Sequence, residues 1–165
     1  MRARCRGTRL FVHLQYNSSS QSGSGSLTKN SATNNAGPGL LITEFGDPFV
    51  CEMNLYEGLA EGCRVSNNGR GTMENCTIKE NTLGGIVVSD QGSPRVIRSI
   101  IHDGKGSGIH ILSDGFGSFD SNEIHSNAGA NILIESRGNA QFCSNDIHSG
   151  KDHGVMIRDS GLGDF

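Results

Sequence analysis

Apolar residues along this chain recur in columns rather than in helical or simple alternating runs. One column holds Leu27, Val50, Met73, Val96, Phe119, Phe142 and Phe165. A second holds Ala32, Leu55, Ile78, Ile101, Ile124 and Ile147. The third is Leu40, Cys63, Ile86, Ile109, Ile132 and Val155, and the fourth Ile42, Val65, Val88, Ile111, Ile134 and Ile157. Each step is 23 residues, as in 101, 124 and 147. A glycine column at 46, 69, 92, 115, 138 and 161 punctuates the units. Self-similarity at a fixed period of this size marks stacked repeats.

Within a unit the apolar positions predict short strands between turns. Phe119 points inward, Asn122 turns the chain, and Ile124 points inward between outward Glu123 and His125. A second turn falls at Asn127-Ala128-Gly129, after which Ile132 and Ile134 flank outward Leu133. Strands this short cannot make a sandwich, whose turns are spaced further apart. They can wind a coil in which each strand pairs with its equivalent one turn below. The expected fold is all-β: a right-handed parallel β-helix of about six coils of 23 residues over 27–165. Its hand follows from the near-universal right-handed parallel crossover. At ~4.8 Å per coil the rod is about 29 Å long. Asn122 and Asn145 fall in one corner column and predict an asparagine ladder. Ordering 23 residues costs more than four buried side chains return, so one coil cannot fold alone.

Alternate coils differ. Gly58-Leu59, Gly104-Lys105 and Gly150-Lys151 mark one turn type, and Asn35-Ala36, Asn81-Thr82 and Asn127-Ala128 the other. The glycine boundaries alternate in step, Asp47-Pro48 and Ser93-Pro94 against Gly71-Thr72 and Gly117-Ser118. The full period is a pair of coils.

These phrases, G-x-P…I-H-D-G-K-x-x-G-I alternating with G-x-G…N-x-I…N-A, resemble the parallel β-helix repeats of carbohydrate-active enzymes of the pectin lyase-like fold and of periplasmic copper-site maturation proteins. The alternation most resembles the β-helix of an F-box family whose members recruit substrates to a ubiquitin ligase. That resemblance implies an interaction scaffold and a protein partner.

Residues 1–26 form a separate N-terminal segment. Arg2, Arg4, Arg6 and Arg9, with no acidic residue before Glu44, give residues 1–20 the composition of an organelle transit peptide. The alternation of Leu10, Val12, Leu14 and Tyr16 instead predicts a strand capping the stack, followed by a flexible Ser/Gly loop at 17–26. At the other end, Phe165 enters its column as the first residue of a seventh coil. An open C-terminal edge predicts end-to-end self-association.

Composition narrows the function. A net charge of -3 and 5% aromatic residues supply neither the basic stripe nor the stacking platforms of nucleic-acid binding. No apolar run approaches the ~20 residues that span a bilayer. The 5 cysteines are odd in number and follow no metal spacing, which points to free thiols, a reducing compartment and a cytoplasmic or nuclear location. No cofactor is implied. His102, His125 and His148 share an outward column, but collinear groups ~4.8 Å apart cannot close around one zinc at ~2.0 Å.

The outward positions of the longest strands are Leu41, Arg64, Val87, His110, Leu133 and Met156. No carboxylate pair lies among them, so the sequence offers no catalytic residues for two-carboxylate glycoside hydrolysis. Glu135 and Arg158, one position on, predict a cross-strand ion pair. Val87, Leu112, Leu133 and Met156, interrupted by His110, form an apolar stripe that predicts a partner-binding face. The expected function is a non-enzymatic protein-interaction scaffold. The alternative is a carbohydrate-binding or polysaccharide-modifying β-helix (lyase, hydrolase or epimerase). A groove lined by polar, acidic or aromatic residues would favour the alternative.

Overall fold

The computed structural model describes residues 23–165 and the two-residue strand His13–Leu14. The transit-peptide reading of 1–20, and all of the expected cap and loop except 13–14 and 23–26, lie outside the described residues. The described chain is a right-handed β-solenoid of about six turns with three parallel sheets and no helix. Each coil visits the sheets in one order, here called I, II and III. In one coil these are Arg95–Ile97, Ile100–His102 and Ser107–Ile111. Sheets I and III have seven strands and sheet II six. The Ile column stacks in register through sheet II, Ile78 on Ile101, Ile101 on Ile124, Ile124 on Ile147. At the N-terminal end, His13 and Leu14 pair with Leu41 and Ile42 on sheet III.

The four apolar columns fill the lumen. Ile78, Ile101, Ile109 and Ile124 are fully buried, and Phe119 stacks on Phe142 with ring centroids 4.9 Å apart. The outward histidines His102, His125 and His148 also stack, at 4.9 and 5.0 Å. Parallel rings at that spacing keep their nitrogens too far apart to share an ion.

Among the described residues, every non-glycine residue with positive φ falls in one of four columns at the corners. One left-handed residue turns sheet I into sheet II (Arg98, Ser121) and one turns sheet II into sheet III (Asp103, Ser126). Two in succession turn sheet III into sheet I, as at Ser113 (φ 46) and Asp114 (φ 58). The glycine column that follows this pair is needed for a different reason. A Cβ on Gly92 or Gly115 would lie 2.5 Å from the carbonyl oxygen of Val65 or Val88 in the coil before. Those glycines permit coil-to-coil approach, and the left-handed backbone is carried by the two residues before each, polar in every described coil except at Phe45. Ser113→Val should therefore be less stable than Ser113→Gly by about 1–2 kcal/mol in urea denaturation, because a branched Cβ meets the following carbonyl in left-handed backbone.

The asparagine ladder is present. Oδ1 of Asn145 accepts the backbone N–H of Asn122 at 2.9 Å, and Oδ1 of Asn122 accepts that of Ser99 at 2.9 Å. A second ladder explains the paired-coil period. Asn81 and Asn127 turn their amides inward beneath Gly58 and Gly104, whose N–H groups donate to them at 2.9 and 3.0 Å. A Cβ on Gly58 or Gly104 would stand 3.0 Å from that oxygen, so an asparagine coil requires a glycine coil before it. Asn35 occupies the same position, is 2% exposed, and makes no side-chain hydrogen bond to the described residues. Its equivalents bond to the coil before, and the positions one coil before Asn35 lie outside the described residues.

Candidate functional site on the outer face of sheet III

Sheet III has three of the five-residue strands, Glu61–Val65, Gly84–Val88 and Ser107–Ile111, and its outer face carries a cluster of an imidazole, a carboxylate and a guanidinium. Register places His110 between Val87 and Leu133. Beyond each strand the chain keeps its ladder for one more residue: the N–H of Glu135 donates to Ile111 O at 3.0 Å, and that of Arg158 to Ile134 O at 3.0 Å. Glu135 and Arg158 therefore stay on the face that His110 occupies. His110 Nε2 lies 3.0 Å from Glu135 Oε1, and Arg158 Nε donates to Glu135 Oε2 at 2.6 Å. One carboxylate thus holds an imidazole with one oxygen and a guanidinium with the other.

The electrostatics follow from this geometry. Burial pushes the Glu135 carboxyl up, but hydrogen bonds from Arg158 and His110 outweigh it and hold the group below its ordinary 4.5. A carboxyl depressed on folding contributes stability that is present above 4.5 and is lost as pH falls through the lower folded value. Stability measured by urea between pH 6 and pH 3 should fall more steeply in the parent than in Glu135→Gln, whose side chain cannot titrate. A second pair lies further along the face, Arg64 with the buried carboxylate of Glu61.

The apolar stripe expected here is broken up. Val87 is 8% exposed, and Leu112, Leu133 and Met156 are half-buried, so they frame the polar cluster rather than forming an open patch. His110 is the member of that set with a charged partner. The sequence reading compared residues one coil apart, and so found the Glu135–Arg158 pair but missed His110–Glu135. Those two are separated by 25 positions, one coil plus two, which keeps both side chains on the same face as diagonal neighbours. His148 and Glu123 repeat the diagonal on sheet II, with Nε2 3.4 Å from Oε1.

The remaining candidates carry less chemistry. Cys63 and Cys76 are buried and their thiols are pushed up by desolvation, hence unreactive, while Cys51 is half-buried and Cys143 exposed. Among the described residues no group of three metal-ligating side chains converges. Two open grooves lie outside sheet III. One, of about 350 Å³, follows the left-handed corner, where Arg137 grips both Asp114 carboxylate oxygens at 2.9 and 2.8 Å. The other, of about 330 Å³, crosses the outer face of sheet I beside Phe116.

Comparison with known proteins bears on these features. The family described as right handed beta helix region matches residues 13–113 and 50–164. No curated protein matches in sequence. Among solved structures, the A-module of the mannuronan C-5 epimerase AlgE4 from Azotobacter vinelandii superposes with a TM-score of 0.71 at 16% identity, covering 80% of this chain. This chain spans 38% of that module's length. The expectation of a non-enzymatic interaction scaffold is overturned here: this solved β-helix is a module of a mannuronan C-5 epimerase, and the likeness found is to β-helix repeats rather than to an F-box adaptor. The repeat phrases that suggested the adaptor are requirements of corner and lumen packing, and so are shared by β-helices of unrelated function. On the strength of a match over most of its length, the chain belongs to the right-handed β-helix region family.

Proposed function

We propose that this chain is a carbohydrate-active β-helix that works on acidic polysaccharide, with His110, Glu135 and Arg158 as its working group. The His110–Glu135–Arg158 cluster carries the reading: an imidazole, its orienting carboxylate and a cation on one sheet face. The superposition on an epimerase module of the same fold supports it. The chemistry that suits the cluster is proton transfer beside a sugar carboxylate. Two-carboxylate hydrolysis has no support, because Glu61 is buried against Arg64 and both oxygens of Glu135 are engaged, one by the His110 imidazole and one by the Arg158 guanidinium.

In this scheme His110 takes the proton from the carbon that bears the carboxylate. The C–H electron pair moves into the carboxylate, forming an enediolate. Glu135, bonded to Nε2, fixes the ring and stabilises the imidazolium as it forms. The other ring nitrogen, Nδ1, bonds none of the described residues and is the atom that receives the proton. Arg158, and Arg64 two coils away in the His110 column, supply positive charge toward the developing enediolate. A proton returned from water to the opposite face inverts the centre; expelling the neighbouring glycosidic oxygen, which takes up the proton held by His110, leaves an unsaturated end. Both outcomes begin with the same step.

The test is incubation with mannuronan, polygalacturonate and a neutral glucan, followed by NMR of ring configuration and unsaturated ends. Uronans should change and the glucan should not. His110→Ala should lower the rate by about 10²–10⁴-fold, the usual contribution of a positioned acid–base group. Uronans left unaltered, or altered equally by His110→Ala, would overturn the reading.

A further inference from the structure

The groove on sheet I gathers outward polar side chains that have no partner among the described residues. Arg64, Arg98, Arg137 and Arg158 each pair with a carboxylate. Arg95, at the groove, forms no ion pair and no side-chain hydrogen bond with any described residue. The same is true of Ser118, Gln141 and Asp164. Register stacks these four as one outward row, Arg95 on Ser118, Ser118 on Gln141, Gln141 on Asp164. Their hydrogen-bonding capacity is unspent, and all four line one groove of about 330 Å³. Beside the row, Phe116 stands 42% exposed at the groove wall. Gly117 keeps the coils close beneath the groove: with φ at 139, a Cβ there would lie 2.9 Å from Pro94 O.

We propose that this groove binds an acidic oligosaccharide, separately from the sheet III face. A pyranose presents apolar C–H groups on one side and hydroxyls around its rim. Phe116 offers the apolar face a ring to lie against, while Ser118 and Gln141 meet hydroxyls as donors and acceptors. Arg95 presents a planar fork matched to a ring carboxylate, and Asp164 at the far end accepts from hydroxyls. The row repeats every ~4.8 Å, roughly the length of one sugar, so successive coils meet successive residues of a chain. Its volume falls in the range of small-ligand sites. Phe49, 43% exposed, lies in the same outward column as Arg95 two coils away, and extends the track along the rod. This inference rests on the saccharide reading above but names a different face, which corner residues 112–117 separate from His110.

The experiment is NMR titration of the ¹⁵N-labelled chain with a mannuronate oligomer and with the matching neutral mannose oligomer. The acidic oligomer should shift the amides of Phe116, Gly117, Ser118 and Gln141, and should do so equally in His110→Ala. Arg95→Gln should weaken the acidic oligomer by about tenfold to a hundredfold, the range for losing a charge-assisted pair, and leave the neutral one unchanged. Phe116→Ala should weaken both. Both residues are exposed, so neither change threatens the fold. Shifts confined to residues around His110 and Leu133 would overturn the groove and leave the proposed function standing. Equal affinity of parent and Arg95→Gln for the acidic oligomer would overturn its anionic specificity. No shift on either face would overturn both proposals.

Discussion

Replacing Phe119 by alanine is expected to lower stability by about 3–5 kcal/mol, the range for truncating a buried aromatic. Phe119 is 1% exposed and stands in the lumen between Val96 and Phe142. Its ring stacks on Phe142 at 4.9 Å and 11°, and Phe142 stacks on Phe165 at 4.9 Å and 6°. Truncation leaves a void bounded above and below by side chains that are held in register by backbone ladders, so the site cannot collapse to fill it. In a solenoid each coil touches only its neighbours, so the loss falls on one coil-to-coil interface. The coils after residue 119 should then unfold at lower urea than those before it, splitting a single transition in two. Phe116→Ala, three positions away and pointing outward, should stay within about 0.5 kcal/mol. Urea denaturation followed by circular dichroism decides the matter, and a loss below 1 kcal/mol for Phe119→Ala would contradict the lumen packing described.

The second large effect is expected at Asn127, which is fully buried. Its Oδ1 accepts from the N–H of Gly104 at 3.0 Å, and its Nδ2 donates to Ile101 O at 3.2 Å, His125 O at 3.0 Å and Asn131 Oδ1 at 3.0 Å. Asn127→Leu fills similar volume but strands the Gly104 N–H inside the stack and removes the side-chain bonds to the Ile101 and His125 carbonyls and to Asn131. The orphaned N–H costs about 1–3 kcal/mol and the lost side-chain bonds about 1–2 kcal/mol more, so a loss of about 2–5 kcal/mol is expected. The amide also holds the glycine coil against the asparagine coil, so hydrogen exchange at Gly104 and Lys105 should accelerate beyond the global change. The corresponding substitution at Asn30, which is half-buried and bonds only Thr28 O, should be nearly silent. Two variants of equal stability would mean that the ladder is incidental.

His110 and Glu135 show where sequence reading stopped short on the candidate site. The column arithmetic placed His110 outward and paired Glu135 with Arg158, and both placements hold. That His110 also reaches Glu135 depended on the strand continuing one residue past Ile134, which is visible only in the N–H of Glu135 bonding to Ile111. Val87 shows the reverse error. It alternates outward as the period of two requires, yet it is nearly covered at 8% exposure. Alternation fixes the direction of a side chain, whereas its exposure depends on the bulk of the side chains around it. Glycine shows a third limit: the boundary column was legible, but its purpose was not. The left-handed corners are made by the residues just before it, Ser, Asp, Asn, Gln, Glu and Arg in all but one place, where Phe45 takes the position.

The sequence by itself determined the period, the three-sided coil, the inward columns and the corner ladder. These follow from steric and solvation rules that act on each residue in its own coil, and six repetitions make them unmistakable. Only the tertiary structure decided which outward residues meet. A surface pair depends on strand length, diagonal offset and neighbouring bulk, none of which repeats from coil to coil. Arg95 is the plainest case. Its column and outward direction can be read from the period, but its lack of a partner appears only once every nearby carboxylate is placed. The lumen is therefore written in the repeat, and the surfaces proposed to meet saccharide are written in the departures from it.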